Sequence, residues 1–406
     1  MTLKPRILLI TSNAGSLFEK DCRLHVGWLQ TIEERVHAEN VDMLILHTQE
    51  TGGKKFEECS YQVPIIVDQL RNRLNEFQII RAWADIEYES EDYTALGVYV
   101  FIKESAAKYI EQYNFHTNRF EALHRGFSLT LSNFEKNPYL IKYKFPKEFW
   151  PAIKWGRKGY MHTRWRISNR IIDFVNAHLF HDESNLALIH ENPMQYSENR
   201  KRAMDFIIQR LTEFANGHKE HLFIFGDLNF RLDSTSFLNR ITAKTEPHPL
   251  DDEDESRGST DHLQVNGSNC PNDNLRRTVS AIEFRRGSND SQNSCVLRVE
   301  KKKFDYFNQK KLLDDWESYL DDDKEAKNFP LNELPISFPP TYPWSEDPEE
   351  SEVLMKTRAP AWCDRVLMND DAYALVSDSC PKYSSFGQSV CTGDHKPVAL
   401  SFEMPR

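Results

Sequence analysis

The chain has 406 residues, of which 39% are hydrophobic and 12% aromatic, and its formal net charge at pH 7 is −11. This composition can fill a large core and excludes a disordered chain. The acidic balance excludes a protein that coats nucleic acid through a basic surface, although a local basic pocket could still bind an anion. No apolar run reaches the length of a membrane-spanning helix. The seven cysteines are scattered without a Cys-x-x-Cys pair, which favours reduced thiols over a disulfide framework or a zinc site.

Apolar runs and helical periodicities alternate along the first half of the chain, as in an α/β protein. Strands are predicted at residues 6–12, 42–47, 78–86, 94–102, 127–132, 171–178 and 222–225. Helices are predicted at residues 22–39, 63–77 and 197–214.

Residues 244–297 differ in composition from the rest of the chain. Pro, Ser, Asn and Asp dominate them, and residues 251–255 are all acidic. They contain too little apolar material to bury, so the sequence predicts a polar, flexible insertion. After it, a helix is predicted around residues 304–320, and two strands are predicted around 362–368 and 398–402.

The stretch around Asp227 carries the clearest chemical signal. Four apolar residues run into Gly226, Asp227 and Asn229. In an extended strand, residues two apart share a face, so the carboxylate and the carboxamide would point the same way. Such a pair suits the hydrolysis of a phosphate ester. A plain turn is the alternative, because Gly, Asp and Asn are common turn residues.

Polar residues stand at the ends of several other predicted strands. They are Asn13, Glu50, His178, Asp394 and His395. Each has a structural alternative, such as a turn residue, a surface carboxylate or a buried core histidine. Their shared position at strand ends favours a site instead, because α/β enzymes gather their functional residues there.

Three motifs occur in a fixed order: Gly-Asp-x-Asn-Phe-Arg at 226–231, Trp-Cys-Asp-Arg at 362–365 and Gly-Asp-His-x-Pro-Val at 393–398. Together they resemble the inositol polyphosphate 5-phosphatase family. Segments 13–18, 49–50, 158–165 and 176–181 extend the resemblance over nearly the whole chain, and segments 303–309 and 336–343 resemble its type I subgroup. The resemblance implies a four-layer α/β sandwich, in which two mixed β-sheets are flanked by helices as in deoxyribonuclease I. It also implies one catalytic domain over residues 1–406.

The resemblance also assigns roles by position. It implies that Glu50 binds Mg²⁺ and that Asn13 lies beside the metal and the scissile phosphate. Asp227 would activate or orient the attacking water, and Asn229 would contact the phosphate. The remaining catalytic candidates are His178 and His395 against the phosphate oxygens, Asp364 as the partner of His395, and Asp394 beside the site. This set is chemically coherent, because hydrolysis of a phosphomonoester requires an in-line water and neutralised phosphoryl oxygens.

Specificity would come from contacts with the other phosphates of the ring. Residues 151–170 carry six basic and no acidic side chains. The resemblance places Lys158 and Arg164 near the 4-phosphate. The further candidates for substrate binding are Arg157, Arg365 and Lys396. Arginine suits bidentate phosphate contacts, and lysine acts as a point charge. A solvated, charged strand face is the alternative for any one of them.

These features predict a magnesium-dependent phosphatase that removes the 5-phosphate from soluble inositol 1,4,5-trisphosphate, and also from the 1,3,4,5-tetrakisphosphate, and so ends a calcium-release signal. The alternatives are a phosphatidylinositol 4,5-bisphosphate phosphatase, a metal-dependent nuclease of the same fold and a non-catalytic inositol-phosphate binding protein. The final residues carry no Cys-a-a-X prenylation signal. We therefore expect a cytoplasmic protein, with a peripheral position at the plasma membrane as the alternative.

Overall fold

In a computed structural model, the described residues are 4–19, 23–149, 156–182, 195–215, 220–250, 281–286, 295–300 and 302–405. The strands are β1 (Arg6–Asn13), β2 (Met43–Gln49), β3 (Ile79–Ala84), β4 (Gly97–Ile102), β5 (Ile110–Asn114), β6 (Arg119–Ala122), β7 (Gly126–Thr130), β8 (Ile141–Lys144), β9 (Gly159–Ile167), β10 (Arg170–His178), β11 (His221–Asp227), β12 (Glu246–Leu250), β13 (Ala281–Arg285), β14 (Cys295–Glu300), β15 (Lys303–Tyr306), β16 (Asp364–Met368), β17 (Lys382–Ser385) and β18 (Val398–Glu403). The α-helices are α1 (Leu24–Glu39), α2 (Phe56–Cys59), α3 (Val63–Arg73), α4 (Gln195–Ala215), α5 (Ser234–Ile241), α6 (Gln309–Asp314) and α7 (Asp370–Ser377).

Two seven-stranded mixed sheets form the centre of the fold. The first has the order β17-β18-β1-β2-β4-β3-β7, and the second runs β16-β11-β10-β9-β5-β6, with β8 also paired to β9. Strands β1 and β2 are parallel, and so are β10 and β11, whereas most other pairs are antiparallel. A third sheet, β12-β13-β14-β15, is small and antiparallel.

The alternation of side chains along the strands produces the layers. On β1, Ile7 and Leu9 belong to the core between the two large sheets, whereas Leu8 and Ile10 pack outward with residues of α1 and α3. On β10, Val175 likewise packs outward, in a cluster with residues of α4. Because successive strand residues point to opposite faces, a continuous apolar run fills two layers at once. The result is the four-layer sandwich that the sequence predicts.

Two sequence predictions require correction. The predicted helix at 304–320 begins within β15, because Phe304 and Tyr306 are buried with a period of two residues. Its helical part is divided between α6 and a 3₁₀ helix at Trp316–Asp322. The segment 244–297 is not structureless where it is described, since it contributes β12, β13 and part of β14. Its strands bury Ile282, Phe284 and Val296. Residues 251–280 and 287–294, with the acidic run, lie outside the described residues.

Candidate active site

Four strands deliver polar residues to one edge of the sandwich. Asn13 pairs in register with Gln49, which precedes Glu50, and His178 pairs in register with Asp227. Because both pairs are parallel, their carboxyl ends meet at the same edge of each sheet. Gly226 permits the close approach of β11 to β10, since a Cβ there would lie 2.0 Å from the carbonyl oxygen of Ala177.

Asp227 lies at the centre of this edge and is buried. Its Oδ2 accepts a hydrogen bond from Nδ2 of Asn13 at 3.0 Å and lies 3.4 Å from Nε2 of His178 and 4.0 Å from Nε2 of His395. Burial alone would raise the pKa of the carboxyl, but His395, His178 and Lys158 together hold it well below its usual range. Asp227 is therefore an anion that faces two histidines.

His395 is oriented by a buried carboxylate. Its Nδ1 lies 2.8 Å from Oδ2 of Asp364, and the hydroxyl of Thr341 donates to the same oxygen at 2.7 Å. Burial opposes the charge on the imidazole, yet Asp364 and Asp227 raise the pKa of His395 to about 9. His395 is accordingly protonated at neutral pH and can donate from Nε2.

His178 has the opposite electrostatic environment. Burial and the neighbouring Lys158 lower the pKa of His178, which favours the neutral imidazole. The ammonium of Lys158 contacts Nε2 of His178 directly. Burial also lowers the pKa of Lys158 to about 8, against the opposing effect of Asp227 and Glu50. The two histidines beside Asp227 therefore differ in charge at neutral pH.

Glu50 and Asn13 present oxygen atoms to a common space. A Cβ on residue 15 would lie 2.7 Å from Oε2 of Glu50 and 3.2 Å from Oδ1 of Asn13, so the glycine there leaves this space open. Burial would raise the pKa of Glu50, but Arg157, His178 and Lys158 lower it to about 2. A carboxylate and an amide oxygen are ligands that Mg²⁺ accepts together with water and phosphate oxygens. The donor set fits the predicted metal.

Asn229 and Asp394 complete the predicted set. The predicted extended geometry of Asp227 and Asn229 is wrong, because β11 ends at Asp227 and Asn229 adopts a left-handed conformation with φ of 54°. Nδ2 of Asn229 donates to the carbonyl of Leu179 at 3.1 Å. Asp394 lies further out, where its Oδ1 accepts from the hydroxyl of Ser16 at 3.2 Å and its Oδ2 lies 3.5 Å from Nζ of Lys54. Asp394 therefore borders the site without contacting Asp227 in the described structure.

Three predicted substrate contacts lie elsewhere. Arg164 is buried and binds Asp173 at 2.8 and 2.9 Å, as well as Glu220. Arg365 is buried and binds Glu333 and Asp323. Lys396 is buried and donates to three backbone carbonyls, the nearest at 2.7 Å. All three cations are paired with groups of the protein itself in the described structure. Of the predicted basic residues, Arg157 and Lys158 do reach the site.

The predicted site set did not include Arg231, the last residue of the motif that contains Asp227 and Asn229. Its Nη2 donates to Oδ1 of Asn229 at 3.0 Å, and its guanidinium lies 4.7 Å from the centre of the Tyr342 ring. The ring of Tyr342 in turn packs on His395, with 4.7 Å between ring centres. Nε and Nη1 of Arg231 are buried without a hydrogen-bond partner among the described residues. The signal was the arginine in the Gly-Asp-x-Asn-Phe-Arg motif itself.

The sequence matches the Endonuclease/Exonuclease/phosphatase family 2 over residues 17–270 and 297–401. It is 60% identical over 405 residues to a probable type I inositol 1,4,5-trisphosphate 5-phosphatase of Caenorhabditis elegans, covering 98% of this chain and 99% of that protein. It is 37% identical over 409 residues to inositol polyphosphate-5-phosphatase A of Homo sapiens, covering 98% and 93%.

Two solved structures share the fold at low identity. The 5-phosphatase domain of a synaptojanin, in complex with inositol (1,4)-bisphosphate and a calcium ion, aligns with a TM-score of 0.50 at 15% identity, over 99% of this chain and 84% of that one. A Cimex nitrophorin aligns with a TM-score of 0.51 at 13% identity over the full length of both chains. Since the fold alone does not define a function, the sequence relatives decide the assignment. The chain belongs to the inositol polyphosphate 5-phosphatases of the endonuclease/exonuclease/phosphatase family.

Proposed function

We propose that the protein is a magnesium-dependent phosphatase that hydrolyses the 5-phosphate of soluble inositol 1,4,5-trisphosphate, and also of the 1,3,4,5-tetrakisphosphate. The observation that carries this proposal is the anionic Asp227 between two histidines of different charge, beside the oxygens of Glu50 and Asn13. The relatives whose names contain this substrate or this reaction support it. Its signalling role would be to end calcium release.

Asp227 would hold the attacking water. Its strongly lowered pKa keeps it ionised, so it serves better as a hydrogen-bond acceptor that orients the water than as a strong base. Asn13 fixes one of its oxygens through the 3.0 Å hydrogen bond, and the backbone N–H of Asn229 fixes the other at 3.0 Å. The carboxylate therefore has little freedom to rotate, which favours a single direction of attack.

The charge that develops on the phosphoryl oxygens would be met by fixed cations. His395 is protonated and oriented by Asp364, so its Nε2–H can donate to a phosphoryl oxygen without reorganisation. Lys158 adds a second positive group on the side of His178. When bound at Glu50 and Asn13, Mg²⁺ would supply further neutralisation of these oxygens.

The other phosphates of the ring would contact the basic residues at the border of the site. Arg157 lies 3.2 Å from Glu50 through Nη2 and packs over the ring of Phe56 at 5.0 Å. Arg231 offers two buried nitrogens that have no partner among the described residues. Arg358 lies nearby, close enough to Tyr342 and Arg231 for both to act on its pKa, which burial lowers. This group suits a small ligand with several phosphates.

A lipid substrate is the second candidate, and one surface feature favours it. The ring of Phe56, which Arg157 covers, packs against Tyr88 at 6.1 Å between ring centres, and Tyr88 is 40% exposed. Aromatic side chains at the border of a site can contact a membrane interface. No helix in the part of the chain that the structure describes is both long and apolar enough to cross a bilayer.

We further propose that residues 1–406 form one catalytic domain that acts in the cytoplasm, since the preferred substrate is a soluble molecule. The family match on both sides of residues 271–296 supports a single unit.

The test compares phosphate release from soluble inositol 1,4,5-trisphosphate and from phosphatidylinositol 4,5-bisphosphate in vesicles, with Mg²⁺ and with a chelator. We expect rapid, Mg²⁺-dependent release from the soluble substrate. Faster release from the vesicles would favour the lipid substrate. No release from either substrate would refute both proposed activities and call for an assay on abasic and plain duplex DNA.

Cys270 and Arg276 have the Cys-x5-Arg spacing of a phosphocysteine nucleophile but lie outside the described residues. Full activity of Cys270→Ser would support direct attack by water.

A further inference from the structure

A buried polar network lies beneath the site, where the two large sheets face each other. Nδ2 of Asn176 on β10 donates to the carbonyls of Thr48 on β2 and Gly97 on β4, at 3.0 and 2.9 Å. Its Oδ1 accepts from Nε2 of Gln49 at 2.8 Å, and Gln49 also contacts the hydroxyl of Thr11 on β1 at 3.2 Å. All three side chains, Thr11, Gln49 and Asn176, are buried. The network therefore joins one sheet to the other by hydrogen bonds.

This arrangement departs from the ordinary packing of two sheets, which interdigitate apolar side chains. Apolar contacts resist separation but tolerate small sliding movements. Hydrogen bonds have preferred lengths and angles, and a fully satisfied buried network specifies one arrangement. Every polar atom of the Asn176 carboxamide has a partner. The network is thus suited to fix the register between the sheets.

Each member of the network lies one or two residues before a member of the site. Thr11 precedes Asn13 by two residues, Gln49 directly precedes Glu50, and Asn176 precedes His178 by two residues. Asn13 ends β1 and Glu50 follows β2, and these two strands belong to one sheet. His178 ends β10 and Asp227 ends β11, and these belong to the other sheet. The contact between Asn13 and Asp227, at 3.0 Å, crosses from sheet to sheet directly above the network.

We propose that Thr11, Gln49 and Asn176 are positioning residues, which hold the metal-side groups Asn13 and Glu50 at a fixed distance from Asp227 and His178. We name these three residues the inter-sheet lock. The inference rests on the proposed function, because it assigns the lock to that reaction. The lock contacts neither the substrate nor the metal. It acts through the strand ends, where a displacement of about 1 Å costs on the order of 100-fold in rate.

The experiment uses the full chain and the variant Asn176→Asp, which keeps the shape but replaces the two donated hydrogen bonds by an acceptor. Its matched control is Asn369→Asp. Asn369 caps α7 and its Nδ2 donates to the carbonyl of Glu220 at 2.8 Å, at the opposite end of β11 from Asp227. For both variants we would measure kcat and KM for inositol 1,4,5-trisphosphate, below the melting temperature of each.

We expect Asn176→Asp to lower kcat by roughly 30- to 100-fold while KM changes by less than about threefold, since substrate contacts stay intact and only the alignment is lost. Asn369→Asp should retain the kcat of the wild-type protein even if its melting temperature falls as far. A kcat of Asn176→Asp within about threefold of wild type would refute the proposal that the inter-sheet lock positions the site. An equal fall of kcat in the control Asn369→Asp would refute it too.

If Asn176→Asp does not fold, the isosteric Thr11→Val decides, because it removes only the hydroxyl that contacts Gln49. It should lower kcat by about threefold to tenfold at constant KM, and an unchanged kcat would refute the proposal. The wild-type protein serves as the reference for the function itself. A wild-type protein that releases no phosphate overturns the proposed function and the lock with it, whereas an active wild-type protein with unaffected variants overturns the lock alone.

Discussion

Replacing Asp364 by asparagine would remove the charge that keeps His395 protonated while leaving the position of the His395 ring unchanged. The asparagine has nearly the same shape, and its Oδ1 can still accept from Nδ1 of His395, where the carboxylate now lies at 2.8 Å. What disappears is the negative charge that raises the pKa of His395 against the effect of burial. Asp227 remains, but its nearest oxygen lies 4.0 Å from Nε2. We therefore expect the imidazole to lose its proton at a lower pH.

The magnitude follows from the pKa shift. The structure raises the pKa of His395 from 6.5 to about 9, and a raised pKa means that the charged form persists up to that pH. At pH 8 the wild-type imidazole is then roughly 90% protonated. If the variant returns to about 6.5, only about 3% is protonated, a difference of about 30-fold. At pH 6 both proteins are mostly protonated, and the difference from this cause shrinks to less than about twofold.

The measurement is the pH profile of kcat/KM between pH 5.5 and 10 for both proteins. We expect Lys158, with a pKa of about 8, and His395, with a pKa of about 9, to shape the alkaline limb of the wild-type protein, and we expect the whole limb to move to a lower pH in Asp364→Asn. A matched control is Asp322→Asn, which removes a buried carboxylate that binds Arg240 at 2.9 Å, outside the site. An activity deficit of the Asp364 variant that is the same at pH 6 and pH 8 would refute a role for the charge of His395.

Three further outcomes are expected. Asp227→Asn should lower kcat by about 100- to 10,000-fold with little change in KM, and near-normal turnover would remove its catalytic role. Glu50→Gln should raise the Mg²⁺ concentration for half activation by at least ~10-fold, because loss of a residue that merely orients a metal ligand already weakens metal binding by about that factor. An unchanged Mg²⁺ titration would contradict the binding of the metal by Glu50. Arg164→Met should lower the free energy of unfolding by about 3–5 kcal/mol, because it leaves Glu220 without its buried partner and Asp173 with His162 alone. Its KM should stay unchanged in the folded protein, and a raised KM would restore the original assignment to substrate.

The strands and the strand-end residues could be predicted because their signals are local. The predicted strand 171–178 ends at His178, as β10 does, and the predicted strand 222–225 lies within β11, which extends to Asp227. The strands within residues 244–297 were not predicted, since the polar composition of the whole segment concealed the short alternating runs of β13 and β14. A small sheet can be built from such runs when a neighbouring surface covers one face.

The basic residues show what local sequence patterns could not decide. Lys158 and Arg164 are six residues apart, which along a strand corresponds to about 20 Å, so only the first can reach the site at that end of β9. Arg365 follows Asp364 on β16, and successive strand residues point to opposite faces. A cluster of basic residues in a sequence does not show which side chains can bind a ligand and which form ion pairs inside the protein.

The sequence by itself determined the chemistry, namely which carboxylates, amides and histidines stand at strand ends and to which family their motifs belong. The tertiary structure alone decided how these residues are charged and oriented. His178 and His395 are the same side chain, yet Lys158 beside one and Asp364 beside the other move their pKa values in opposite directions. These neighbours are 20 and 31 residues away along the chain. The pairing of β9 with β10 brings Lys158 to His178, and the packing of the two sheets brings Asp364 to His395.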